Sequence, residues 1–172
     1  MSEKKETETV EVYPYANHEA WHDKLQNAPD PSWVKSRQLG GNKTSTYLPL
    51  GIQEAIADKF FREFDIINVD IQIAVNEIIC TIKLSVLPNY PNAEHRIICG
   101  IASKPIQCKK GTSFPAGKIT NALEYNAPAV QSSAKSNALT NFANIFGRHL
   151  NREFSNGFSF TKEKKDAGDK KD

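Results

Sequence analysis

The chain has 172 residues, of which 39% are hydrophobic and 24% charged, with a formal net charge of +2. That is enough chain for one domain with a real core, and its composition is ordinary for a soluble globular protein. No stretch approaches the roughly 18 consecutive apolar residues of a membrane span. The opening "MSEKKETETVEVYP" lacks the apolar region of a secretory signal, and so small a net charge is no argument for a polyanionic partner.

Both ends read as unfolded: "MSEKKETETV" and "TKEKKDAGDKKD" have too few apolar residues to offset the entropy of ordering. The expected organisation is therefore a disordered segment over residues 1–12, a single α+β domain over 13–154 and a Lys-rich disordered tail over 155–172. Within the domain, "NHEAWHDKLQNA" (17–28) predicts a short helix, with Asn17 as N-cap and Trp21 and Leu25 on one face. "PDP" stops it. "PSWVKSRQLGGNKTSTYLPL" (31–50) reads as a basic, glycine-bent loop.

"LGIQEAIADKFFREF" (50–64) predicts a second helix, because Ile52, Ile56, Phe60 and Phe64 recur every four residues. Three strands follow. In "INVDIQIAV" Val69, Ile71, Ile73 and Val75 alternate with polar residues; in "EIICTIKLSVL" Ile78, Cys80, Ile82, Leu84 and Val86 make the core face; in "HRIICGIAS" Ile97, Cys99 and Ile101 alternate. Residues 104–129 read as a long lysine-bearing loop, and "VQSSAKSNALTNFANIFGRHLNREF" (130–154) as the longest helix, with a stripe through Ala134, Ala138, Phe142, Ile145 and His149. The expected fold class is α+β: a three-stranded antiparallel β-meander packed against a long C-terminal helix and preceded by one or two helices.

Catalytic motifs are mostly absent. There is no GxxxxGK[ST], no GxSxG and no CxxC. The three cysteines, Cys80, Cys99 and Cys108, are an odd number with no zinc-like spacing, and point to reduced thiols in a cytosol-like compartment. Cys80 and Cys99 read as small core hydrophobes on strands. Asp70, Glu77 and His95 are the residues from which an enzyme site would have to be assembled, and Asp65, Asp70 and Glu77 read first as solvated strand positions. The expectation is a binding protein without metal or cofactor.

The 31–50 stretch collects Lys35, Arg37, Lys43, two glycines, Trp33 and Tyr47. It is either a solvated loop anchoring one Trp or one wall of a site for a polyanion. "PSWVKSRQLGGNKTSTYLPLGIQEAIADKFF" resembles the start of the annealing domain of the Rad-fifty-two type, where an aromatic, an "SR", a glycine cluster, a lysine and a tyrosine lead into a helix and a β-meander. "AVQSSAKSNALTNFANIFGRHLNREF" resembles that family's closing helix. The wider group takes in the phage annealing proteins RecT, Redβ and the Sak types, and the small size of this chain suits a phage member.

The resemblance spans residues 31–154. It implies ATP-independent binding of single-stranded DNA and annealing of complementary strands, by a homo-oligomeric ring or filament with the DNA backbone in a basic groove. A phage exonuclease or a host single-strand-binding protein would be a further partner, and the cytoplasm of a bacterial host the location. The positions matching the family's DNA site are Arg37 and Tyr47, with Lys35 and Lys43 close by. Where the family's closing helix often carries a Lys-Arg pair and a further arginine, this chain has Thr140, Asn141 and Asn144. Lys135, Arg148 and Arg152 on that segment, and Lys104, Lys109 and Lys110 before it, are the candidates to replace those charges. The alternatives are a small nucleic-acid-binding module of the same build without annealing activity, an enzyme, and a self-assembling protein whose basic loops touch only other subunits.

Overall fold

A computed structural model describes residues 13–39, 41 and 43–152. The two terminal segments, with the lysines at 162, 164 and 165, and Gly40 and Asn42 lie outside the described residues. The element order is α1 (His18–Gln26), β1 (Lys35–Leu39), β2 (Lys43–Tyr47), α2 (Leu50–Phe60), β3 (Phe61–Ala74), β4 (Glu77–Pro88), β5 (Arg96–Pro105) and α3 (Ala122–Phe142), with 3₁₀ turns at Pro31–Trp33 and Asn144–Phe146. The sheet β3-β4-β5 is an antiparallel meander, and α3 packs on one face of it, as the sequence leads one to expect.

The first helix forms as read. Asn17 caps it, accepting a hydrogen bond from the Ala20 amide at 2.9 Å, and Trp21 and Leu25 are its buried residues. The Trp21 indole donates to the Phe60 carbonyl at 2.8 Å, which satisfies its polar atom inside the core. Around it lie the rings of Phe61, Tyr90 and Phe142, and the Arg96 guanidinium sits 5.4 Å from the indole ring centre.

Four boundaries differ from expectation. Residues 35–47 are not a loop but the hairpin β1-β2, paired from Lys35↔Tyr47 to Leu39↔Lys43. Its strands are polar on both sides, so they carry little of the alternation that marks a half-buried strand. At its turn Gly41 has φ +74°, a conformation that favours glycine. Second, α2 stops at Phe60 and the chain runs straight into β3. The aromatics Phe60, Phe61 and Phe64 satisfy a helical spacing, but Phe61 is needed in the core, where it lies parallel to Phe146 at 6.2 Å. Third, α3 begins at Ala122, eight residues before the expected start and with Pro128 inside it. Asn126 holds this first part down by donating to the Pro105 carbonyl at 3.2 Å. Fourth, α3 ends at Phe142, where Ala143 turns extended and Asn144–Phe146 forms a separate 3₁₀ turn closed by Gly147 at φ +91°. That break lets both Phe142 and Phe146 reach the aromatic cluster.

The even positions of β4 (Ile78, Cys80, Ile82, Leu84 and Val86) are all buried under α3. Burial pushes the Cys80 thiol up, and the charge of Asp70 adds to the effect, as suits a core cysteine and not a nucleophile. The neighbouring strands correct the reading. On β5 the core positions are Ile98, Gly100 and Ala102, whereas Ile97, Cys99 and Ile101 point away from the helix. The reason is spacing: α3 crosses β5 at Gly100 so closely that small residues are required beneath it. On β3, Val69, Ile71 and Ile73 do share a face with Ile82, Cys80 and Ile78. They are nevertheless exposed, because α3 lies over β4 and β5 and leaves β3 uncovered.

Candidate nucleic-acid interface

Along the side of α3 away from β3 runs an open groove of about 890 Å³. One wall is the hairpin, which contributes Arg37, Ser45, Thr46 and Tyr47; the other is a row of small polar residues on α3, namely Ser132, Ser133, Ser136, Asn137 and Thr140. Ser103 and Lys104 of β5 form its floor, and Arg148 and Arg152 after the 3₁₀ turn close one end. Four cations, a single exposed phenol and a run of hydroxyls and amides therefore face one channel.

Each wall is held by identifiable contacts. The Arg37 guanidinium lies 5.5 Å from the Tyr47 ring centre, a cation–π contact across the hairpin. Asn151 clips the hairpin to the segment that follows the second 3₁₀ turn: its Oδ1 accepts from the Thr46 backbone amide at 2.7 Å and the Thr46 hydroxyl at 2.9 Å, and its Nδ2 donates to the Thr46 carbonyl at 2.6 Å. Asn151 has φ +64°, which asparagine tolerates better than most residues. Asn137 donates to the Ile101 carbonyl at 2.8 Å and so fixes α3 over β5. At the base Gln53, 1% exposed, donates through Nε2 to the Thr140 hydroxyl at 2.9 Å and the Phe146 carbonyl at 3.0 Å.

Asn151→Ala removes all three contacts to Thr46. Because the pair is exposed, the net loss is about 1 kcal/mol, concentrated in the hairpin. The expected outcome is faster amide hydrogen exchange over β1 and β2 with a nearly unchanged melting temperature.

Of the residues singled out in the sequence, Arg37, Tyr47, Lys104, Arg148 and Arg152 come together in this groove. Lys35 lies instead beside a smaller apolar pocket with Pro31, Val34 and Leu150, and Lys43 is exposed at the turn end of the hairpin. Lys109 and Lys110 are exposed in the loop between β5 and α3 and do not line the groove. Lys135 is engaged elsewhere: its ammonium donates to Glu54 at 2.6 Å and lies 4.9 Å from the Phe64 ring centre. Two of the uncharged positions have packing work. Thr140 accepts from Gln53, and Asn144 donates to the Gln26 carbonyl at 3.0 Å, tying the 3₁₀ turn to α1. Sequence reasoning missed the serine row of α3, which lies at spacings of three and four and thus on one helical face.

The residues of the enzyme alternative do not converge. Glu77 and Ser85 lie eight residues apart on β4, roughly 27 Å at ~3.4 Å per residue. Asp70 pairs opposite Thr81 between them and accepts from the Gln72 amide at 2.7 Å. His95 belongs to the Ser85 end, where its Nδ1 is 3.1 Å from the Ser85 hydroxyl and its Nε2 is 3.6 Å from a Glu63 carboxylate oxygen. The His95 and Glu63 side chains are 54% and 50% exposed. Among the described residues no group of three or more His, Cys, Asp or Glu side chains is placed to hold a metal ion, and no helix is long and apolar enough to cross a membrane. No protein-family model matches the chain, and no curated protein matches it.

Proposed function

We propose that the groove between the β1-β2 hairpin and α3 holds the backbone of single-stranded DNA, and that the protein anneals complementary strands without nucleotide or metal, as a ring or filament of identical subunits. The observation that carries this reading is the meeting of Arg37, Tyr47, Lys104, Arg148 and Arg152 in one open channel. A sequence-neutral binder needs cations along the phosphates and neutral donors for the sugar and phosphate oxygens. Annealing adds a demand: the bases must stay available to the second strand. A channel with one exposed phenol meets it better than a platform of aromatics that stack base after base. The resemblance of residues 31–154 to the annealing group supports the same reading. On this reading the protein is a phage recombination factor acting in a bacterial host cytoplasm, with a phage exonuclease or the host single-strand-binding protein as further partners.

The test is pairing of two complementary fluorescent oligonucleotides by the full chain, with chelator present and ATP absent. The expected result is fast pairing at 50 mM salt that slows steeply by 200 mM, because each neutralised phosphate releases counterions. Binding without acceleration of pairing would leave a single-strand-binding module and remove annealing. No binding at 50 mM salt would remove the reading altogether.

A further inference from the structure

The sheet exposes apolar side chains at both of its edge strands, on opposite faces. On the helix side of β3 lie Ile66, Val69, Ile71 and Ile73, the last 53% exposed, and they continue into Val75 at the β3-β4 turn, 84% exposed. On the other side of the sheet, along β5, lie Ile97 and Ile101, 63% and 61% exposed, with Cys99 between them. β3 is irregular near Phe61–Glu63 and Ile66–Asn68, so its apolar side chains, more than its main chain, are what invite association. The β3 stripe presents on the order of 400 Å² of apolar surface, as large as the largest, often functional, patch of a typical monomer, and the β5 stripe on the order of 200 Å². Val75 adds a second sign. It holds φ +56°, a conformation that a β-branched residue adopts only under strain, at a turn where asparagine or glycine would be both more soluble and unstrained.

We infer that the two stripes are the two halves of one contact between copies of this chain: the helix-side face of β3 in one subunit lies against the open face of β5 in the next, so that the sheets overlap like roof tiles. The placement of the stripes argues for this occupant. A two-fold contact uses the same patch twice, so pairing β3 with β3 leaves the β5 stripe in water, and pairing β5 with β5 leaves β3 there. A head-to-tail contact covers both with a single kind of interface. Because interfaces are roughly 60% apolar, the ~600 Å² of the two stripes together corresponds to an interface of on the order of 1,000 Å², at the lower bound for specific complexes. The β5 main chain is less suited to simple strand addition, since Asn137 already occupies the outward Ile101 carbonyl. The contact is therefore made by side chains. A head-to-tail contact propagates into a ring or an open filament. This inference gives the assembly of the proposed function its surfaces, but it does not depend on what the groove binds.

The test uses sedimentation velocity on the full chain without nucleic acid, for the wild type, Ile71→Asp on β3 and Ile101→Asp on β5. Both residues are exposed in the single subunit, so circular dichroism and melting temperature should stay close to wild type. If either variant misfolds, Val75→Asp at the turn and Ile97→Asp on β5 replace them. Expected are assemblies larger than a dimer for the wild type, monomers for each variant alone, and a heterodimer and nothing larger when the two variants are mixed one to one. That mixture is diagnostic, because each variant keeps one good half of a head-to-tail contact. A wild type that stays monomeric at all concentrations overturns the inference. So does an Ile101→Asp protein that remains a dimer while Ile71→Asp is monomeric, since that is the signature of two-fold β3 pairing. An unimpaired pair of variants would overturn it as well. Each of these outcomes can occur whether or not the oligonucleotides anneal.

Discussion

Gly100→Val is expected to lower the melting temperature by roughly 10 °C or more. Gly100 sits in the middle of β5 beneath α3. A Cβ added there would run into the Ala134 carbonyl oxygen and come within 2.6 Å of the Ala138 amide nitrogen and 2.9 Å of its Cβ. Two of these three atoms are backbone, so no rotamer change makes room, and the helix must lift off the sheet. Overpacking of a core by even one carbon destabilises by about 1–3 kcal/mol, which is the expectation for Gly100→Ala. Valine brings two more carbons into the same space and should reach about 4 kcal/mol, a large share of the ~5–15 kcal/mol that holds a domain folded. Urea unfolding of both variants measures it. A valine variant as stable as wild type would mean that α3 does not approach β5 this closely, and the groove wall built on α3 would lose its basis.

The second large effect concerns the groove. If the groove holds single-stranded DNA as proposed, Arg37→Ala combined with Arg148→Ala should weaken that binding on the order of 10- to 100-fold at moderate salt. It should also reduce the slope of log affinity against log salt by about 1.4, at ~0.7 per lost phosphate contact. Both side chains reach the channel, one from the hairpin and one from the segment after the 3₁₀ turn. Both are also exposed, so the fold should survive their removal. Lys135→Gln is the control. Its ammonium is held by Glu54 on the other flank of α3, so binding and salt slope should stay at wild-type values. Fluorescence anisotropy with a short oligonucleotide reads all three proteins. If Lys135→Gln weakens binding as much as the double variant, the nucleic acid follows a different path over the surface.

Much of the architecture is legible in the residues themselves. Alternation in "EIICTIKLSVL" marks β4 as the central strand because it is covered on one face along its whole length, so every even position meets α3. Asn17, Trp21 and Leu25 determine α1 by capping and by a spacing of four. The cations at 37, 104 and 148 are visible as candidates in the chain, and local sequence suffices to bring Arg37 and Tyr47 into one short stretch.

What the tertiary structure alone decided is which candidates share a space and which apolar stripes are covered. Ile97, Cys99 and Ile101 have the same alternation as the core face of β4, but pattern cannot tell which face of an edge strand a helix will cover. The decision fell to Gly100 and Ala102, whose small size admits α3 on the other side. Val69, Ile71 and Ile73 face the helix layer and stay in water, because one helix is wide enough to cover two strands of the three. Lys135 and Arg148 look equivalent in the sequence. Long-range packing gave the first a carboxylate partner 81 residues away in the chain and the second a place in the groove. Periodicity is a local property and determines elements. Coverage, pairing and the meeting of charges depend on contacts between residues far apart in the chain, and those exist only once the elements have packed.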